Sequence, residues 1–181
     1  LVPYIKTSDE VKTKPTQHSV KELRSVGITP DFIVTRSDSS LPSEHKQKIA
    51  LFSNLDSQNI FESPNVETIY QVPLLLDSQG MGAKVMEKLG LKYQKETLFS
   101  WERIVETIKK PQGKVKVAVV GKYSSLADAY KSINEALLHA GVATGLQVEI
   151  DFLASESLEQ SDNIENSLKA YHGILIPGGF G

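Results

Sequence analysis

Val115-Lys116-Val117-Ala118-Val119-Val120 reads as one continuous apolar strand, broken only by Lys116. After it, Leu126, Ala129, Tyr130, Ile133, Leu137 and Ala140 trace one face of a helix, with Ser125 and Asp128 at its start and Gly141 as its stop. Val148–Leu153 is a second strand, Glu156–Leu168 is helix or loop, and Gly173–Ile176 is a third strand. Strands that alternate with helices predict a parallel sheet with helices on its faces.

Upstream of that strand the chain is more polar. Trp101, Ile104, Val105 and Ile108 repeat at helical spacing, and a Pro111-Gln112-Gly113 turn follows. The expected organisation is therefore a first domain over residues 1–91, a linker carrying one helix over 92–113, and a second domain over 114–181. In the first domain, Leu1–Ile5 and Asp31–Arg36 read as strands. Between them lies a helix over 16–26, with Val20 and Leu23 inward and Gly27 ending it. Pro42 and Ser43 open a second helix that reaches about Asn54. Ile60–Glu62 is a short strand, Val66–Leu76 is apolar and interrupted by Pro73, and Met81–Leu91 is a further helix with Gly90 near its end.

The bulk composition narrows the function classes. The 181 residues are 40% hydrophobic and 23% charged with a net charge of −2, which gives no basic footprint for nucleic acid. Apolar runs are too short to span a bilayer, and nothing at the start resembles a signal peptide. No cysteine is present, so neither disulfides nor thiolate catalysis can come from these residues, and a cytoplasmic location fits. The chain opens on Leu1-Val2-Pro3-Tyr4-Ile5 and closes on a strand running into glycines. The expectation is that these residues belong to a longer protein.

Residues 11–18, Val-Lys-Thr-Lys-Pro-Thr-Gln-His, concentrate chemistry. On an extended backbone Lys12 and Lys14 share one side. Thr13 and Thr16 add hydroxyls, Gln17 adds an amide, and Pro15 stiffens the chain. Ser19 and Glu22 have capping-box spacing, so a helix N-terminus lies close by. Together these groups suit a phosphate-rich anion; a basic turn before a surface helix is the alternative. Lys48 heads a stripe with Leu51, Phe52 and Leu55, where a lysine either snorkels or meets a buried anion.

The wording Lys12-Thr-Lys-Pro-Thr-Gln-His-Ser-Val-Lys-Glu-Leu23 closely resembles the pyrimidine-nucleotide-binding stretch of the CTP synthase family. The resemblance implies that Lys12, Thr13, Lys14, Pro15, Thr16, Gln17 and Lys48, the last within Lys46-Gln-Lys-Ile-Ala-Leu-Phe52, bind UTP or CTP. Asn65-Val66-Glu67-Thr68-Ile69-Tyr70 resembles the segment that lines the family's adenine pocket, which implies ATP contacts at Val66 and Asn65. The family commonly has Asp where this chain has Asn65, so a backbone contact carries over and an acid side-chain contact does not. An N-capping role for Asn65 reads equally well.

Val120-Gly121-Lys122-Tyr123-Ser124 lacks the spacing of a phosphate loop. With Leu126-Ala-Asp-Ala-Tyr-Lys-Ser132 it resembles the opening of the family's glutaminase domain, with packing as its first role. Pro177-Gly178-Gly179-Phe180-Gly181 then resembles the oxyanion and glutamine-binding turn of class I glutamine amidotransferases, implicating Gly178, Gly179 and Phe180. The implied fold is α/β: part of a P-loop-type amidoligase domain followed by the first strands and helices of a class I glutaminase domain. The implied parent enzyme is a homotetrameric ligase that uses ATP and Mg2+ to phosphorylate UTP. It forms CTP with ammonia from glutamine, is activated by GTP and is inhibited by CTP. Its phosphate loop, Mg2+ ligands and catalytic cysteine are not among these residues, and His172 is not its catalytic histidine. His18, His45, His139 and His172 show no metal-ligand spacing. Another amidoligase fused to a glutaminase, or a non-catalytic nucleotide-binding or assembly protein, are the alternatives.

Overall fold

The structure, a computed structural model, describes residues 1–94, 97–122, 127–161 and 163–178. It comprises two compact units, Leu1–Glu102 and Arg103–Gly181. Ser125 and Leu126 of the expected helix start, and Gly179, Phe180 and Gly181 of the expected oxyanion turn, lie outside the described residues.

The first unit begins with a small antiparallel hairpin, β1 (Tyr4–Ile5) against β2 (Glu10–Val11). Helix α1 (Lys14–Ser25) follows. Pro15 sits in its first turn, where a missing N–H costs nothing and the fixed φ suits a helix. The helix thus starts earlier than the capping-box spacing of Ser19 and Glu22 indicates. Ser19 is internal, and its hydroxyl donates back to the Pro15 carbonyl at 3.0 Å. Lys12 and Lys14 are consequently not on one extended strand, because Thr13 between them is already in the right-handed helical region. Gly27, with φ +84°, ends the helix as expected.

Strand β3 (Ile33–Ser37) pairs in parallel with β4 (Ile60–Pro64), and α2 (Ser43–Ser53) makes the crossover. Val2 bridges Ser37, extending the pairing at the carboxyl end of β3. The core gathers Val2, Leu41, Ile49, Ala50 and Ile60, with Phe61 also 2% exposed. Helix α2 turns Ile49, Ala50 and Ser53 inward. Leu51 and Phe52, expected to form the buried stripe below Lys48, are 78% and 56% exposed. Apolar residues occur on several sides of this helix, so spacing alone could not choose the buried face. After β4, Thr68 and Gln71 form a capping box on a short 3-10 turn, Ile69–Gln71. This leads into α3 (Val72–Ser78), with Pro73 in its first turn, and α4 (Met81–Lys88). The capping role falls to Thr68 and not to Asn65.

Helix α5 (Phe99–Lys109) precedes the second unit's sheet, in which β5 (Gly113–Gly121) is central. After a 3-10 turn over Ala127–Tyr130 comes α6 (Lys131–Thr144), followed by β6 (Leu146–Ala154). Two short helices, α7 (Ser155–Glu159) and α8 (Ile164–Leu168), lead to β7 (Gly173–Leu175). The order is β6-β5-β7 and both pairings are parallel, as the alternation predicts. Gly141 does not stop α6. It is buried inside the helix, where a Cβ would come within 2.6 Å of the Leu146 carbonyl oxygen. Gly145, with φ +74°, is the stop. No helix among the described residues is long and apolar enough to cross a membrane.

Candidate functional site

Two of the first unit's candidate residues, Thr16 and Asn65, are tied to the end of β3 at Ser37. Beside it, the Val2 N–H donates to the Arg36 carbonyl at 2.8 Å. The preceding Leu1 carbonyl accepts from the Thr16 hydroxyl at 2.8 Å, which ties the first turn of α1 to the carboxyl end of β3. The Asn65 N–H donates to the Ser37 carbonyl at 3.1 Å. The Asn65 side-chain amide donates to the Asp38 carboxylate at 3.2 Å. The start of α1 and the exit of β4 thus meet at the carboxyl ends of two parallel strands, where ligands of open α/β sheets bind.

Within the Lys12–Gln17 stretch, side chains divide into supports and free ends. Thr13 and Thr16 are buried, and the Gln17 amide donates to the Thr13 hydroxyl at 3.1 Å. The Lys12 N–H donates to the Pro3 carbonyl at 2.9 Å, locking the turn before the helix. No side chain caps α1, so its positive end is left without a side-chain acceptor. Lys12 pairs with Glu10, and both are partly exposed. The Glu10 carboxyl is held below the usual carboxylate range, first by the hydrogen bond and charge of Lys12, then by the charges of Lys48 and Lys14. Three cations from the hairpin exit, α1 and α2 therefore act on one carboxylate.

Two residues that no local pattern marked hold this arrangement. Glu62, inside β4, forms an ion pair with Lys46 of α2 and accepts from the Leu41 N–H at 2.7 Å. Gln79, just after α3, accepts from the Glu62 N–H at 2.8 Å and donates to the Glu62 carbonyl at 2.9 Å. Its amide thus completes the free edge of β4 as a neighbouring strand would. Together they clamp the helix that carries Lys48 and the strand that leads to Asn65 and Val66. Only an outward-facing acid in a short strand could have flagged Glu62, and the Gln79 contact spans 17 residues.

Residues 1–91 match the family profile described as CTP synthase N-terminus. The chain belongs to the CTP synthase N-terminal family. The match contains Lys12–Gln17, Lys48, Asn65 and Val66, so all the nucleotide candidates lie in the CTP synthase N-terminal part of the chain.

In the second unit, Gly178 follows β7, and a Cβ there would meet open space. The His172 N–H donates to the Lys116 carbonyl at 2.8 Å, and its Nδ1 accepts from the Lys116 N–H at 3.0 Å. That pairing gives His172 a place in joining β7 to β5. Gly121, of the Val-Gly-Lys stretch, lies against Tyr130, whose ring stacks on Phe152 with centroids 5.6 Å apart.

Proposed function

We propose that this chain is the pyrimidine-nucleotide wall, part of the adenine pocket and the opening glutaminase segment of a cytoplasmic CTP-forming ligase. In the parent enzyme, ATP phosphorylates O4 of UTP. Ammonia released from glutamine by a class I glutaminase domain then displaces that phosphate. A reactive phosphorylated base and free ammonia both need shielding from water, which favours one enzyme with both sites over separate partners; homotetrameric assembly comes with the family resemblance. GTP as activator and CTP as inhibitor belong to the same reading.

The observation that carries it is the family match over residues 1–91, which contain Lys12, Lys14 and Lys48, supported by the Lys12–Glu10 ion pair and the added pull of Lys48 and Lys14 on that carboxylate. Ammonium groups so arranged bind a triphosphate by charge-assisted hydrogen bonds. Thr13, Thr16 and Pro15 position the turn, and Gln17, whose amide donates to the Thr13 hydroxyl, is assigned to the same nucleotide. Backbone atoms at Val66 and Asn65 serve the adenine. Among the described residues no group of three or more His, Cys, Asp or Glu side chains gathers to hold a metal ion, so no step is assigned to Mg2+ on these residues. Gly178, Gly179 and Phe180 would supply the oxyanion turn.

In the full-length protein, Lys14→Ala and Lys48→Ala should each weaken UTP binding by about 1.5–3 kcal/mol, the range for hydrogen bonds to charged groups. Unchanged UTP binding with unchanged CTP inhibition would remove the site.

A further inference from the structure

Glu10 is an acid placed among cations that the nucleotide reading assigns to phosphate. It opens β2, the second strand of the hairpin, and pairs with Lys12, two residues on, while Lys48 and Lys14 add their attraction. Its backbone is held by pairing with Ile5, and the hairpin is braced by the Tyr4 hydroxyl donating to Asp9, whose φ is +51°. The Glu10 side chain is half exposed, at 49%, so it can leave Lys12 without opening a cavity.

We propose that Glu10 is the resident counter-anion of the lysine cluster. A nucleotide's phosphates must displace it from Lys12, and it thereby sets how strongly the cluster holds highly charged ligands. This rests on the nucleotide-binding reading of Lys12, Lys14 and Lys48. An exposed ion pair is weak, so a polyphosphate that bonds several lysines at once can replace it. The displaced carboxylate stays near by and continues to repel the incoming charge. An uncharged ligand feels neither effect.

The test is calorimetry on the full-length protein with UTP and with uridine, at low and high salt. Glu10→Gln and Glu10→Ala should both tighten UTP binding, by about two- to fivefold, which corresponds to the upper range for an exposed pair. Uridine binding should not change, and the gain should shrink as salt rises. The gain should also be smaller in a Lys12→Ala background, where there is no pair to break. UTP binding that is unchanged or weaker in both variants overturns the proposal, as does equal tightening of uridine. If Lys14→Ala and Lys48→Ala leave UTP binding intact, the nucleotide reading itself falls, and this inference with it. If they weaken it while Glu10→Gln tightens nothing, only the role of Glu10 is lost.

Discussion

The parallel strands of the two units are built differently. In the first unit, β3 and β4 turn polar towards their carboxyl ends: Thr35, Ser37 and Ser63 are buried. The Thr35 hydroxyl donates to the Phe61 carbonyl at 3.0 Å, and the Ser37 hydroxyl to the Ser39 carbonyl at 2.7 Å. In the second unit, β5 keeps Ala118 and Val119 wholly buried, and its exit is Gly121. Burying a hydroxyl costs free energy unless it is bonded, and once bonded it fixes the backbone it touches. The first unit thereby gains rigid strand exits where Asn65 and the start of α1 must be held. The second unit relies on apolar packing, with Gly141 where α6 meets the Leu146 backbone.

Four measurements can break or sharpen this contrast. The largest effect should come from Phe61→Ala, which removes the largest fully buried side chain of the first unit. It should cost about 3–5 kcal/mol in denaturant unfolding followed by Trp101 fluorescence. A cost under about 1 kcal/mol would mean that the polar exits, and not the apolar centre, hold β4.

Next is Gly141→Ala. The Leu146 carbonyl that its Cβ would meet is backbone and cannot swing aside. Overpacking should destabilise the second unit by about 1–3 kcal/mol, read by far-ultraviolet circular dichroism. An unchanged or stabilised protein would show that α6 and β6 can separate freely.

Thr35→Val keeps the volume and removes the hydroxyl, with an expected loss of about 0.5–1.5 kcal/mol. A gain in stability would show that the polarity of β3 is unrelated to holding its exit.

The smallest effect concerns Glu149 on β6. The Lys114 ammonium donates to it at 2.8 Å and, by bond and charge, holds its carboxyl below the usual range. Lys116 adds to this, and Asp151 opposes it. The pair therefore stabilises the fold above the ordinary carboxylate pKa, and that contribution is lost as pH falls through the lowered folded value. Glu149→Gln should lower Tm slightly at neutral pH and make its acid-side fall shallower, so that the two proteins converge at low pH. A parallel profile for the two proteins would show that the pair contributes nothing.

The same contrast explains what could be read in advance. Near-continuous apolar strands such as Val115–Val120 announce themselves, and so does the alternation that makes the second sheet parallel. In the first unit β3 and β4 were visible, but β2 was not, nor was the buried face of α2, because Leu51 and Phe52 look as core-like as Ile49 and Ala50. Capping-box spacing at Ser19 and Glu22 misplaced the start of α1 because that spacing recurs inside helices. Pro15 was the better marker.

Sequence by itself determined the alternation of strand and helix in the second unit and the glycine stop at Gly27. These follow from local φ restrictions, hydrophobic period and residue chemistry, all carried within a few positions. Tertiary structure alone decided that Thr13 and Thr16 turn inward, that Glu62 and Gln79 clamp the edge of β4, and that Glu10 sits among the lysines of three elements. It also decided that Gly141 is a contact and not a stop. Each of those depends on which distant backbone or charge the fold brings alongside, and a polar group's partner is chosen by that proximity, not by its neighbours in the chain.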